Sequence, residues 1–147
     1  MLRLTDLLLD LNGTLAVDGS IPDVVSTLVC RLAKQVHVSL LTANTFGTAE
    51  DIAGRLGLEL VLLNPEGDEA AQKAEVVEKV GPAGCVAVGN GANDVQMLQA
   101  SRLGIAVLGR EGLFAPLLVV ADIVVTDPVE ALELLLQPSR LIATLRR

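Results

Sequence analysis

Residues 7–14, Leu-Leu-Leu-Asp-Leu-Asn-Gly-Thr, decide how this chain folds. A short apolar run reaches Asp10, and a Gly-Thr turn follows after two further residues. The run is too short for a helix of its own and is typical of a fully buried strand, here over residues 4–11. Ligands of open α/β sheets bind at the carboxyl ends of the strands. Asp10 is therefore the first candidate for chemistry.

Strand-like apolar segments alternate with helical patterns along the whole sequence. We predict strands over residues 4–11, 36–42, 58–63, 85–88, 103–108 and 123–125. We predict helices over residues 22–35, 48–56, 68–80, 94–100, 112–120 and 128–137, followed by a basic tail at 141–147. This alternation predicts a three-layer, Rossmann-like α/β fold with helices on both faces of a parallel sheet. The 147 residues suit one domain, 1–147, and the connections are too short for a cap domain.

Composition excludes several classes of function. The net charge of −7 and the absence of Trp and Tyr disfavour nucleic-acid binding. No apolar run approaches the ~20 residues that span a bilayer, and the N-terminus lacks the pattern of a signal peptide. We therefore expect a cytoplasmic protein without a membrane or nucleic-acid partner.

Three further residues fall where a phosphate could bind near Asp10. Thr42 ends the second strand and Ala43 begins a turn, so a hydroxyl and a backbone N–H suit a phosphate oxygen there; the alternative is a Thr that merely starts a turn. Lys73 either forms a surface i,i+4 pair with Glu69 or extends the sheet-facing side of its helix to the carboxyl edge. In the second case its ammonium would neutralise a phosphate beside Asp10.

The loop after the fourth strand, residues 89–94, reads Gly-Asn-Gly-Ala-Asn-Asp. Asn90, Asn93 and Asp94 place three oxygen-bearing side chains within five residues, and Mg²⁺ prefers such ligands. A dinucleotide-binding loop is the alternative, but the third Gly of that motif is missing. His37 is predicted to be a packed core residue.

These motifs resemble those of the haloacid-dehalogenase (HAD) superfamily of phosphotransferases. The first motif of that superfamily, Asp-x-Asp-Gly-Thr, stands here as Asp-Leu-Asn-Gly-Thr at residues 10–14. Thr42 matches the second motif, Lys73 the third, and residues 89–94 the fourth, which is often Gly-Asp-Gly-x-Asn-Asp. The resemblance covers nearly the whole chain. Within the superfamily the chain is most similar to the phosphorylation domain of P-type ATPases, and it resembles a small, capless, soluble ATPase-like branch.

The resemblance implies a role for each matching residue. Asp10 would attack a phosphoryl group in line and become an aspartyl phosphate. Mg²⁺ would be bound by the Asp10 side chain, the Asn12 carbonyl, Asn90 and, through water, Asp94. The phosphoryl group would be held by Thr42, the Ala43 N–H, Lys73 and Asn93.

Two departures from the motifs alter that expectation. Asn12 replaces the Asp that serves HAD phosphatases as general acid/base, and losing such a group costs on the order of 10²–10⁴-fold in rate. We therefore expect a Mg²⁺-dependent phosphohydrolase that favours good leaving groups, such as acyl or aryl phosphates. Asn90 replaces a metal-binding Asp, so we expect weaker Mg²⁺ binding.

Two alternatives to catalysis stay open. The Asn substitutions and the missing lid also suit a weak or inactive module that binds a phospho-ligand or a protein partner. A phospho-acceptor switch of the receiver type is disfavoured by the order of the motifs. The substrate is expected to be phosphorylated, and the open edge would suit a macromolecule or closure by a neighbouring subunit in a homo-oligomer.

Overall fold

The computed structural model describes residues 3–44 and 47–147. Six parallel strands form one sheet in the order β3-β2-β1-β4-β5-β6. The strands are β1 (Asp6–Asp10), β2 (His37–Thr42), β3 (Glu59–Leu62), β4 (Cys85–Gly89), β5 (Leu103–Val107) and β6 (Ile123–Val125). β1 is central and pairs with both β2 and β4. The chain order reverses between β1 and β4, which places the ligand-binding crevice of this fold class at their carboxyl ends.

Helices cover both faces of the sheet. They are α1 (Asp23–Ala33), α2 (Ala49–Leu56), α3 (Glu69–Val80), α4 (Val95–Ala100), α5 (Leu117–Val120), α6 (Pro128–Leu136) and α7 (Pro138–Leu145), and 3₁₀ turns lie at Pro82–Gly84 and Ala92–Asp94. Leu7 and Leu9 of β1 face the core under α1, α2, α6 and α7, whereas Leu8 faces the core under α3, α4 and α5. The predicted three-layer α/β fold is confirmed, and no cap domain interrupts residues 3–44 and 47–147.

Local chemistry sets several helix boundaries. The Asp68 carboxylate accepts a hydrogen bond from the Ala71 N–H, at 3.0 Å, and so caps α3 one turn before Lys73. Asp127 caps α6 in the same way, with Pro128 at its first position. Gly57 ends α2 in the left-handed conformation, with φ of 66°.

Three expectations from the sequence are wrong. The helix predicted at 112–120 begins only at Leu117, because a turn closed between Gly109 and Gly112 and the ring of Pro116 delay it. The predicted basic tail is largely helical, because Leu141 packs into the core and anchors α7. His37 is not a core residue: its side chain is 55% exposed and pairs with Asp6 and Glu59.

In the part of the chain that the structure describes, every helix is too short or too polar to cross a membrane.

Candidate active site

Asp10 lies at the carboxyl end of the central strand with both carboxylate oxygens engaged. Oδ1 accepts a hydrogen bond from the Lys73 Nζ at 2.8 Å, and Oδ2 accepts one from the Thr14 hydroxyl, also at 2.8 Å. The Asp10 side chain is only 9% exposed. The orientation of the carboxylate is thus fixed, with one oxygen toward the Lys73 ammonium and the other toward the Thr14 hydroxyl.

The loop after β1 delivers Thr14 to Asp10. The Leu11 carbonyl accepts hydrogen bonds from the N–H groups of Thr14, Leu15 and Ala16, so the chain makes one tight turn directly after the strand. Gly13 has φ of 80°, a conformation that favours glycine. The turn brings the Thr14 hydroxyl back over Asp10 and within 3.1 Å of the Asn90 Oδ1.

Lys73 joins Asp10 to Asp94. Its ammonium donates to the Asp94 Oδ1 at 2.7 Å as well as to Asp10, and its side chain is 1% exposed. Of the two alternatives for Lys73, the surface pair with Glu69 does not form. Lys73 instead follows the sheet-facing side of α3 to the carboxyl edge, as the other alternative predicted. A buried ammonium between two carboxylates satisfies the requirement that buried charges be paired.

Asp94 anchors the loop that follows β4. Its Oδ2 accepts hydrogen bonds from the backbone N–H groups of Asn90 and Gly91, both at 3.0 Å. Its side chain is fully buried. A Cβ atom at Gly89 would overlap the Asp94 carboxylate, so this strand end requires glycine.

Thr42 ends β2 on the other side of Asp10. Its Oγ accepts hydrogen bonds from the Asn44 N–H, at 3.0 Å, and from the Asn12 Nδ2, at 3.3 Å. The Asn12 Oδ1 is buried without a partner among the described residues. The Asn12 Oδ1, at the position matching the first motif, is therefore not satisfied within the described part of the protein.

These side chains surround one small cavity of about 80 Å³. Buried residues line its floor, and half-buried ones line its rim. The floor consists of Asp10, Thr42 and Lys73, and the rim of Asn12, Ala43, Glu69, Asn90 and Asn93. Pockets for drug-sized ligands measure about 300–1,000 Å³, so this cavity suits a group of the size of a phosphate.

The structure brings together seven of the eight residues that the sequence nominated. Asp94 is the exception, because it lies behind Lys73 and does not line the cavity. Glu69 also lines the cavity, although its only predicted role was the alternative surface pair with Lys73. Its spacing of four residues from Lys73 places both on one face of α3, and this was the available signal.

Burial and the charges of Asp10, Lys73 and Asp94 determine the electrostatics around the floor of the cavity. Burial raises the pKa of the Asp10 carboxyl to about 7, and repulsion from Asp94 acts in the same direction. Lys73 and Thr14 lower this pKa without cancelling the rise. Burial lowers the pKa of Lys73, but attraction to the two carboxylates outweighs it, so Lys73 stays an ammonium.

The donors around Asp10 fit a small, hard divalent cation. Asp10 Oδ2 and Asn90 Oδ1 both contact the Thr14 hydroxyl, so a carboxylate and an amide oxygen lie close to one point. Within residues 3–44 and 47–147 no cluster of three or more His, Cys, Asp or Glu side chains forms a metal site. Mg²⁺ nevertheless binds commonly through one or two carboxylates, completing its shell with water and substrate phosphate.

Comparison with known proteins identifies relatives. No protein-family model matches the chain. The uncharacterized protein MJ0073 of Methanocaldococcus jannaschii is 39% identical over 84 residues, which cover 54% of this chain and 90% of MJ0073. The chain belongs to the same family as MJ0073. The phospholipid-transporting ATPase tat-1 of Caenorhabditis elegans is 51% identical over 47 residues, but these cover only 30% of this chain and 4% of the ATPase.

Several solved structures share the fold of this chain. A protein described as a HAD family hydrolase, from Streptomyces avermitilis, superposes with a TM-score of 0.70 at 18% identity over 88% of this chain and 81% of its own. The 3-deoxy-D-manno-octulosonate 8-phosphate phosphatase of Moraxella catarrhalis, solved with magnesium and phosphate ions, gives 0.69 at 16% identity over 99% and 95%. The predicted HAD-like fold is confirmed. Similarity to P-type ATPases is limited to short segments.

Proposed function

We propose that this protein is a Mg²⁺-dependent phosphohydrolase that acts through an aspartyl phosphate on Asp10. The observation that carries the proposal is the position of Asp10 on the floor of a phosphate-sized cavity, with one oxygen held by Lys73 and the other by Thr14. Such bonds fix the direction of the carboxylate and prepare it for in-line attack. The HAD-like fold and the known phosphatases that share it support the same chemistry.

Residues of the floor and rim would hold the transferring phosphoryl group. Thr42 already accepts two hydrogen bonds, so its own proton is available to a phosphoryl oxygen in the cavity. The Lys73 ammonium lies beside the attacking oxygen and would offset the charge that gathers on the phosphoryl group. Ala43 and Asn93 line the same cavity, where the Ala43 N–H and the Asn93 amide would contact the phosphoryl group.

The charges around the cavity favour binding of a cation. When both acids are ionised, Asp10 on the floor and Asp94 behind Lys73 carry two negative charges and Lys73 carries one positive charge. These three groups together therefore repel a phosphate. Mg²⁺ held by the Asp10 side chain, the Asn12 carbonyl and Asn90 would make this balance positive and would supply Lewis-acid stabilisation of the phosphoryl oxygens. Asp94 would contribute indirectly, because its oxygens already hold Lys73 and the loop backbone.

Asn12 determines which substrates are favoured. Its amide cannot donate a proton to a leaving group, and its Nδ2 is directed at Thr42. Acyl and aryl phosphates leave without such help, whereas alkyl and sugar phosphates need it. We therefore propose that the substrate has a good leaving group.

The test is the mass of the intact protein after incubation with Mg²⁺ and acetyl phosphate. The wild type should gain the mass of one phosphoryl group and release phosphate as the adduct decays. Asp10→Asn should gain nothing. Asp6→Asn is the matched control, since Asp6 lies at the opposite end of the same strand, and it should behave as the wild type does.

Two outcomes would count against the proposal. An equal adduct on Asp10→Asn would place the acceptor elsewhere. No adduct and no phosphate release from the wild type would favour the second candidate, a module that binds a phospho-ligand without turning it over. The replacement of two motif Asp residues by Asn12 and Asn90 is the observation behind that candidate.

A further inference from the structure

The cavity contains one titratable side chain that the proposed chemistry has not used. Asp10, Lys73 and Glu69 are the titratable residues that line it within the described chain. Asp10 is the proposed nucleophile, and Lys73 is held as an ammonium by two carboxylates. Glu69 remains as the group that could accept or donate a proton.

Glu69 is positioned at the rim rather than free in solvent. It is the first residue of α3, directly after the Asp68 cap, and it lies one helical turn before Lys73 on the same face. Its Oε2 accepts a hydrogen bond from the Asn93 Nδ2 at 2.9 Å. Its other oxygen has no partner among residues 3–44 and 47–147. One oxygen is thus anchored, and the second can bind a water molecule at the cavity.

Without a catalytic role, a carboxylate at the position of Glu69 would be unfavourable. Glu69 adds a negative charge to the rim of a site proposed to bind phosphate, and like charges repel across so small a cavity. Asn93 alone could close the rim without that cost. A proton-accepting role explains why an acid stands at this point while Asn12 cannot transfer a proton.

We propose that Glu69 is the general base that hydrolyses the aspartyl phosphate, taking the role for which Asn12 is unfit. This rests on the proposed function. In the step, a water molecule attacks phosphorus and its proton passes to Glu69. The bond between phosphorus and the Asp10 oxygen breaks, its electron pair returns to the Asp10 carboxylate, and inorganic phosphate leaves. Glu69 then loses the proton to solvent.

The test measures decay of the phosphoenzyme, separately from its formation. Protein is phosphorylated with acetyl phosphate and Mg²⁺, the donor is removed, and the loss of adduct mass is followed over time. Glu69→Gln should form the adduct as the wild type does, because acetate is a good leaving group. Its adduct should decay on the order of 10²–10⁴-fold more slowly. Glu66→Gln removes the same charge from an exposed residue three positions earlier and should decay at the wild-type rate.

The pH profile of decay distinguishes a base from a structural residue. In the phosphoenzyme the Asp10 carboxylate is bonded to phosphorus and no longer titrates. The neighbouring charged residues, Lys73 and Asp94, are the same in the wild type and in Glu69→Gln. The wild-type decay rate should fall on acidification. The Glu69→Gln profile should lack that fall, whereas titration of the phosphoryl group itself would persist in both.

The outcomes separate this inference from the proposed function. If the wild type forms no adduct, the proposed function fails and Glu69 has no phosphoenzyme to hydrolyse. If the adduct forms and Glu69→Gln decays at the wild-type rate or faster, the inference is overturned. It is also overturned if added Mg²⁺ restores the rate, or if Glu69→Gln folds but forms no adduct. Should Glu69→Gln not fold, Glu69→Asp keeps the acid but withdraws it by one methylene, and wild-type decay of that variant would overturn the inference.

Discussion

Lys73 donates a hydrogen bond of 2.8 Å to Asp10 although 63 positions separate the two residues in the chain. The same ammonium donates to Asp94 at 2.7 Å, so one side chain joins the ends of β1 and β4 through α3. Because Lys73 is the sole positive charge among the described residues of the cavity, it holds together two buried acids that would otherwise repel each other. The proposed nucleophile is thus also part of what fixes the fold.

The first prediction concerns stability. Lys73→Met keeps much of the length of the side chain but leaves Asp10 and Asp94 buried without a counter-charge. Removing one partner of a buried ion pair typically costs about 3–5 kcal/mol, so we expect a loss of that order in the free energy of unfolding at neutral pH. Lys79→Met, on the exposed side of the same helix, should change it little. Urea denaturation of both variants is the measurement, and equal losses would contradict the assigned role of Lys73.

The second prediction concerns pH. The pKa of Asp10 is about 7 in the folded protein, whereas the ordinary value that applies to the unfolded chain is 3.8. Between these two pH values the folded state therefore holds a proton that the unfolded chain releases. Without divalent cations, the contribution of Asp10 to the free energy of unfolding therefore falls as the pH rises through this window. Asp10→Asn removes this contribution.

The measurement is denaturation of wild type and Asp10→Asn at pH 5 and pH 8 in the presence of a chelator. Contributions of the carboxyl groups that do not interact with Asp10 cancel in the comparison of the two proteins. We expect the variant to gain stability relative to the wild type as the pH rises. A difference that is the same at both pH values, or that changes in the opposite direction, would show that burial does not raise the Asp10 pKa.

The third prediction concerns glycine at the end of β4. A methyl group at Gly89 would overlap the Asp94 carboxylate, so Gly89→Ala must displace Asp94 from Lys73 and from the loop N–H groups. We expect destabilisation of about 1–3 kcal/mol and slower formation of the phosphoenzyme. Gly54 lies within α2 with open space around it, so Gly54→Ala should instead stabilise by about 0.5–1 kcal/mol. Thermal unfolding of the two variants should therefore shift in opposite directions.

Much of this architecture could be predicted from the sequence because its signals are local. Apolar runs of strand length and helix-length patterns gave all six strands in the right order along the chain, and the motifs placed the polar residues at strand ends. The helix predicted at 112–120 starts too early because the hydrophobic pattern does not report the turn before Pro116. The prediction of a basic tail at 141–147 was wrong because the burial of Leu141 depends on core residues that are distant in sequence.

The site was harder to predict where partners are distant in sequence. Asp94 was expected to reach the metal through water, and the sequence could not show that its oxygens also hold Lys73 and the loop backbone. Glu69 was considered only as an alternative surface partner of Lys73, because spacing gives the face of a helix and not what that face meets. The contact between Glu69 and Asn93 spans 24 positions and follows only from the packing of α3 beside the loop after β4.

The fourth prediction concerns the leaving group. Asn12→Asp restores a carboxyl group at the rim, so hydrolysis of alkyl phosphates should rise on the order of 10²–10⁴-fold while acetyl phosphate hydrolysis changes little. Initial rates on the two substrates provide the measurement. Asn64→Asp adds the same charge to an exposed position and controls for net charge. Equal increases on both substrates would mean that proton donation does not limit the reaction.

The fifth prediction concerns the cation. Asn90 Oδ1 and Asp10 Oδ2 both contact the Thr14 hydroxyl, so Asn90→Asp adds a second carboxylate beside the first. Without Mg²⁺ the two acids repel, and the variant should be less stable than the wild type. With saturating Mg²⁺ the order should reverse, because a ligand that binds only the folded state stabilises the protein more when it binds more tightly. Thermal unfolding across a Mg²⁺ titration is the measurement, with Asn93→Asp as the comparison at the rim. If Asn93→Asp responds to Mg²⁺ and Asn90→Asp does not, the cation binds on the Glu69 side of the cavity and the proposed ligand set is wrong.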